Sequence, residues 1–240
     1  MKSKKIAKIT TGILVFLTLP SLLLFGFLYF KYNEELPKGI KGKEADELAY
    51  KMLEALNYEA FENTNYIEWT FKKKHYYKWR KNKNTCDVYW KEYKVSLDLN
   101  DASQNKAFVH SFKVMDTKLS NQLIEKATKY FNNDSFWLVA PYKVFDKGTE
   151  RRLVNLENNK KALLVTYTSG GTTPGDSYLW HLDNDGKPTS FQMWVDILPI
   201  DGLKATWSDW VTTESGAQLP NFHKFGVFGL EITHIKGTKY

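Results

Sequence analysis

Asp176, Ser177 and His181 bring a carboxylate, a hydroxyl and an imidazole within six residues, the three chemical types of a nucleophilic hydrolase. On an extended strand Asp176 points away from Ser177, and His181 lies about 13 Å further along, outside hydrogen-bond reach. No Gly-x-Ser-x-Gly elbow occurs in the chain. The five histidines, His75, His110, His181, His223 and His234, show neither metal-ligand spacing nor a His-Glu-x-x-His sequence. The residues therefore predict no catalytic centre, no metal and no cofactor. Cys86 excludes an intrachain disulfide by being alone, and it shares a period-2 phase with Val88 and Trp90, which marks it as a small buried hydrophobe.

Two further groups of residues could meet a ligand. The loop Thr168–Asp176 is dense in backbone N–H groups and hydroxyls, but it lacks the lysine of a phosphate loop and no helix follows it. It reads as a hairpin connection with a type II turn at Pro174-Gly175. In a functional role, Gly170, Gly171, Thr172, Thr173, Pro174, Gly175 and Asp176 would form a rim loop over a cavity. Arg151 and Arg152 would either hold an anionic head group at the mouth of that cavity or bridge to Glu150 or Asp146.

The elements that must position these residues are legible from periodicity. Acids at Glu44, Asp46 and Glu47 open a helix of about 17 residues, with Ala45, Leu48, Ala49, Met52, Leu53, Leu56 and Ala60 on one face. Short alternating runs follow at 67–71, 75–79, 88–90 and 93–99, and later at 151–156, 162–168, 177–183, 189–198, 204–213 and 228–235. Asn184-Asp185-Gly186 marks one hairpin turn. Between the two sets, 121–131 reads as a helix, and Asp134 reads as the cap of a short second one over 136–140. Strands and helices do not alternate, so the fold class is α+β, built on an antiparallel sheet. Several strands are apolar on both faces: Phe191, Met193, Val195 and Ile197 oppose Trp194 and Leu198. Such a sheet is either sandwiched or lines a cavity, and with eight tryptophans a greasy lining from Trp69, Trp79, Trp90, Trp137, Trp194 and Trp210 stands beside a thick solid core.

Ahead of this domain, residues 9–30 carry no charge, and a helix of that length spans about 33 Å, enough for a hydrocarbon core. The run is too long for a signal peptide's apolar region and ends without a small-x-small site, so a retained transmembrane anchor is favoured over cleavage. Lysines at 2, 4, 5 and 8 abut the span and place the N-terminus in the cytoplasm, with the domain periplasmic or extracellular. The expected organisation is a basic cytoplasmic segment 1–8, an anchor in the cytoplasmic membrane 9–30, an extended tether 31–43 and an envelope-facing domain 44–240. Eight of the 34 basic residues lie in the first 43 positions against two acids, so the formal charge of +7 belongs mainly to this end. The domain is close to neutral and has Arg80, Arg151 and Arg152 as its arginines, poor material for a nucleic-acid surface.

The amphipathic helix, the strand run Asn63-Thr64-Asn65-Tyr66-Ile67-Glu68-Trp69-Thr70-Phe71 and the helices interrupting the sheet resemble the LolA/LppX-like superfamily of envelope lipid and lipoprotein carriers. So do the segments 133–146 and 170–180. The resemblance spans roughly 45–234 and implies a strongly curved antiparallel sheet, an unclosed β-barrel whose concave side is covered by helices and holds acyl chains or another lipid. Carriers of that class travel, whereas an anchored domain does not. The expectation is therefore a non-enzymatic, membrane-tethered protein that holds or receives a hydrophobic ligand near its membrane. The alternatives are a module docking an envelope protein partner and, behind it, an envelope hydrolase.

Overall fold

The computed structural model describes residues 2–157, 160–169 and 173–240. The first element is α1 (Lys2–Tyr32), with Pro20 inside it. Its segment Thr10–Tyr32, 23 residues, is long and apolar enough to cross a membrane, and none of it is buried against the rest of the chain.

The following residues, expected as a loose tether, are instead laid across the sheet as a strap. Asn33 Oδ1 accepts the Asp201 N–H at 2.9 Å, and the Glu34 N–H donates to the Asp201 carbonyl at 3.1 Å. The Glu34 carbonyl accepts the Trp194 indole N–H at 2.8 Å. Further along, Ile40 exchanges two backbone hydrogen bonds of 2.8 Å with Leu153. Gly39 is required for this close approach, because a Cβ there would stand 2.6 Å from the Cβ of Arg152. Gly42, at φ +134°, turns the chain into α2 (Lys43–Ala55).

Fourteen antiparallel strands form one sheet. β1 (Tyr66–Phe71), β2 (His75–Arg80), β3 (Thr85–Trp90), β4 (Tyr93–Asp98), β5 (Lys106–Val109) and β6 (Phe112–Lys113) make one meander. β7 (Thr149–Asn155), β8 (Lys161–Tyr167), β9 (Ser177–Leu182), β10 (Pro188–Trp194) and β11 (Leu203–Thr206) make a second. β12 (Ser208–Thr212) and β14 (Phe228–Thr238) both pair with β13 (Gln218–Phe225), and β14 pairs with β1 to join the meanders. The two edges, β6 and β7, do not pair with each other, so the sheet stays unclosed. The Asp183–Lys187 turn forms where expected, with Gly186 at φ +97° and the Asp183 carboxylate accepting the Asp185 and Lys187 N–H groups.

Three local readings are corrected. The helix predicted over 44–60 breaks at Asn57, which adopts φ +57°, and restarts as α3 (Tyr58–Glu62). The two helices predicted over 121–140 are one, α4 (Thr117–Val139), capped by Asp116, whose Oδ1 accepts the Leu119 N–H at 2.6 Å. Asp134 is therefore no cap but a buried residue in mid-helix. The strand predicted over 204–213 is split by Trp207 into β11 and β12, because β13, which periodicity did not reveal, pairs with both halves.

In β1 the side chains of Ile67, Trp69 and Phe71 are buried and alternate with half-buried Tyr66, Glu68 and Thr70. The same alternation in the other strands builds a continuous inner core, into which α2 contributes Ala49, Met52 and Leu53 and α4 contributes Leu123, Ala127, Phe131 and Leu138. On the outer face Val154, Ala162, Leu164, Leu179 and Trp194 form a smaller cluster, and the strap runs past it from Trp194 to the edge at Val154. The two-faced apolar strands are thus sandwiched, by helices on one side and by the strap on the other.

Candidate functional site

The inner face carries an aromatic wall that no local element could assemble alone. In its first half Trp69 stacks on Tyr77, with centroids 4.5 Å apart and planes 13° apart, and meets Trp79 edge-on at 6.4 Å. Phe131 of α4 closes over both tryptophans, and Trp90 packs edge-on against Tyr130. In the second half Trp180 meets Phe191 and Trp207 edge-on at 5.1 and 5.0 Å. Trp207 leans on His223 at 4.5 Å, and Trp137 of α4 contacts both Phe191 and His223.

This wall contains polar atoms without partners. The indole N–H groups of Trp69, Trp79, Trp90, Trp180 and Trp207, the Tyr167 hydroxyl and His223 Nε2 are buried and form no hydrogen bond among the described residues. A buried unsatisfied group of this kind costs about 1–3 kcal/mol, only partly recovered where an N–H faces a ring. Five indoles in one core share this condition.

Beside the wall lies a polar cluster that is fully paired. Asp134, 2% exposed, accepts hydrogen bonds from the Tyr77 hydroxyl at 2.5 Å and from Asn133 Nδ2 at 2.8 Å, and His75 Nδ1 lies 2.7 Å from the same carboxylate. The His75 ring stacks on Tyr130 at 3.9 Å. Burial and the Asp134 carboxylate push the Tyr77 hydroxyl far above its ordinary value, so it stays a donor. This cluster joins α4 to β2 through chemistry rather than through apolar packing alone.

His223 is fully buried, with Nδ1 2.9 Å from the Thr206 carbonyl. Burial pushes its imidazole down to about 4, against the pull of the Thr206 backbone carbonyl. An unfolded histidine titrates at about 6.5. The folded value lies below it, so acid favours the unfolded chain. The contribution is complete above about pH 6.5 and is lost as pH falls towards about 4. The expected loss is on the order of 3 kcal/mol at the acid end, and it should be much smaller in His223→Gln. Urea midpoints of both proteins at neutral and acid pH check this; equal acid sensitivity would clear His223 of the role.

The other residues singled out from the sequence separate into distinct surroundings. Trp69, Trp79 and Trp90 are buried under α4, and Trp137 is half-buried on α4 itself. Trp210 is half-buried and stacks on Trp207 at 6.1 Å, with Lys187 over its ring. Trp194 leaves this group, because the pleat turns it to the outer face against the strap. Trp180, Trp207, Tyr167 and His223 belong to the wall and were not singled out, although Trp180 shares the phase of Tyr178 in a strand that was read correctly.

Gly170, Gly171 and Thr172 lie outside the described residues. In the rest of that loop Thr173 Oγ1 donates to Asp176 at 2.5 Å, and Gly175 adopts the positive φ, +109°, that its turn demands. Pro174 precedes it in the turn. Asp176 also accepts the Asp196 N–H at 3.4 Å, and burial raises its carboxyl above the ordinary value. Ser177 Oγ is 2.9 Å from Thr166 Oγ1, whereas His181 Nε2 faces Gln192 at 3.0 Å, so the two are not brought together. Arg152 bridges to Glu150 at 3.1 Å, as one sequence reading had it, and Lys41 of the strap shares that carboxylate. Arg151 reaches neither Glu150 nor Asp146. It donates to Asp46 of α2 at 2.6 Å and lies over the Phe145 ring. Arg151 therefore holds α2 to β7, whereas the Arg152 bridge stays within β7. Burial raises the Cys86 thiol well above its ordinary value, in keeping with a structural role.

Two surface concavities accompany the wall. One, about 540 Å³, is lined by Tyr50, Leu53, Glu54, Tyr58 and Phe145, with Tyr50 stacked on Phe145 at 4.5 Å. The other, about 360 Å³, is polar and lies over β12–β14 beside Asp209, Asn221, Glu231 and His234. Among the described residues no cluster of three His, Cys, Asp or Glu side chains could hold a metal ion.

No family model matches the chain, and no curated protein matches it. Among solved structures, a DUF1329 family protein from Desulfovibrio piger is similar at a TM-score of 0.41 and 10% identity, over 82% of this chain and 93% of that one. This is a distant likeness that bears on neither activity nor ligand.

Proposed function

We propose that the protein is a membrane-tethered binding protein, anchored by α1 in the cytoplasmic membrane with its N-terminus inside. Its domain, on the outer side, holds or receives a hydrophobic ligand, a lipid or an acyl chain, between the inner face of the sheet and α4. The supporting observation is the aromatic wall with its five unpartnered indole N–H groups. Aromatic faces accommodate alkyl chains without demanding a fixed geometry, and the ester or head-group oxygens of a lipid are the acceptors that such donors lack. Entry requires α4 to lift, and its half-buried Tyr130, Phe136 and Trp137 then offer the opposite wall. A second reading, docking of an envelope protein, has the apolar groove of Tyr50, Leu53, Tyr58 and Phe145 in its favour.

A convenient test exists because the first tryptophan of the chain is Trp69, so indole emission reports on the domain and not on α1. Full-length protein in nanodiscs is titrated with a dibrominated stearate, whose bromines quench indoles on contact. Saturable quenching at near-stoichiometric ratios is the expected result. A linear loss matching that of free indole would remove the ligand reading and favour the docking one.

A further inference from the structure

The register of the sheet sorts its turns into two ends. At one end lie the β1–β2, β3–β4, β5–β6, β13–β14, β10–β11 and β8–β9 connections, as the pairs Phe71↔His75, Trp90↔Tyr93, Val109↔Phe112, Phe225↔Phe228, Met193↔Leu203 and Thr166↔Ser177 require. At the other end lie the β2–β3, β4–β5, β7–β8, β9–β10 and β12–β13 connections.

The two ends differ in chemistry. The first carries Phe112, Ile197, Val227 and Phe228 at its tips, 80%, 71%, 89% and 70% exposed. No large apolar side chain is exposed on the described turns of the second, where Asp98, Asp101 and Asp183 fold their carboxylates back onto backbone N–H groups.

Turn residues differ in the same sense. Tight turns at the second end place Asn84, Gly186 and Gly216 at positive φ, the residue types that tolerate it. At the first end Gly202 and Gly226 take it too, but Lys72 and Lys73, Lys91, and His110 and Ser111 are also held there. Lysine has no conformational reason to occupy a left-handed turn position; Lys73 is accounted for by its ion pair with Glu231 of β14 at 3.0 Å, while Lys72 and Lys91 add charge to the tips. With Lys74 the β1–β2 tip presents three consecutive lysines.

The first end is also the one to which the anchor is fastened. Asn33 follows α1 directly and continues its last turn, its N–H donating to the Tyr29 carbonyl, while its side chain holds Asp201 of the β10–β11 loop. No free linker separates the helix from this loop, whatever angle α1 takes.

We infer that this end of the domain rests on the bilayer that α1 spans, with Phe112, Ile197, Val227 and Phe228 entering the interface and Lys72 and Lys74 of the β1–β2 turn facing lipid phosphates. Exposed apolar tips with lysines among them, Lys113 beside Phe112 and Lys72 and Lys74 on the β1–β2 turn, are a composition that seats in the zone between head groups and acyl chains, and the acids Asp196 and Asp201 flank Ile197 alone of the four. The membrane is the occupant because it is the one surface that continuity of the chain brings to these tips. The inference rests on the anchor reading of α1. It also directs the α4 side of the wall towards the membrane, since His75 and Tyr178, at this end of their strands, contact Tyr130 and Phe136.

The test uses the full chain in vesicles of equimolar phosphatidylcholine and phosphatidylglycerol. Val227→Cys and, as the opposite-end control, Asn184→Cys are each labelled with NBD; native Cys86 is buried and stays unlabelled. Flotation after carbonate extraction reports on the anchor. Doxyl-labelled lipid then reports on the tips. For a residue seated ~5–10 Å into the interface, about a two-fold loss of emission is expected at 227 and none at 184. A chain that fails to float overturns the anchor and the docking together. Flotation without quenching at 227 overturns the docking and leaves the anchor standing. A blue shift at 227 without quenching means that protein, a second copy or a partner, covers the tips, and equal quenching at both positions means that the domain lies on its side; either result overturns the inference.

Discussion

Replacing Asp134 by alanine is expected to lower the unfolding free energy by about 3–5 kcal/mol and the melting temperature by roughly 10 °C. The carboxylate is 2% exposed and accepts the hydroxyl of Tyr77, which is itself fully buried and stacked on Trp69. Truncation leaves that hydroxyl without an acceptor inside an aromatic stack and removes the partner of His75. Both losses fall on the seam between α4 and β2. Asp134→Asn keeps an acceptor for Tyr77 and should lose clearly less than the alanine variant. Urea unfolding of the full-length variants, followed by indole emission, measures the difference. A loss of no more than about 0.5 kcal/mol for the alanine variant would mean that α4 is held by packing alone.

The second large effect is expected at Trp69. This side chain is fully buried, stacked on Tyr77 and in contact with Trp79 and Phe131, so Trp69→Ala removes a stack and leaves a cavity in a densely packed wall. The expected loss is at the upper end of about 3–5 kcal/mol, a large part of a typical domain's stability. Trp69→Phe should be far milder, because the indole N–H that it deletes has no partner to lose. Tyr77 is shared by both predictions, so the Asp134→Ala and Trp69→Ala losses should not add. A double variant whose loss equals the sum of the two would show the stack and the carboxylate to be independent, contrary to their common contact.

Much of the architecture could be read from residue pattern, and the exceptions have identifiable causes. The strands over 66–99 were legible because one face is buried, which writes a period of two into the sequence. β13 was not, since Pro220 and Asn221 interrupt its middle and its buried His223 looks polar. The run Asn132-Asn133-Asp134-Ser135 looks like a helix boundary because these residues compete locally for backbone hydrogen bonds. In α4 the Asp134 side chain is engaged by Tyr77 and His75 instead, 57 and 59 residues away, and the helix continues through it. Of the tryptophans put forward as a lining, five lie on or against the inner core, while Trp194 faces the strap.

Residue pattern by itself determined the apolar N-terminal helix, the α+β class, the antiparallel strands and the presence of apolar side chains on both faces of the sheet. All of these follow from hydrophobic periodicity over a few neighbouring residues. Tertiary structure alone decided that residues 33–42 are a strap, that Arg151 serves α2, that five indoles share one wall without partners, and that apolar tips gather at the end where α1 is fastened. These depend on strand register and on pairs such as Glu34 with Trp194, 160 residues apart. Short-range pattern carries no record of such pairs, because they form only when the folded chain brings distant surfaces into contact.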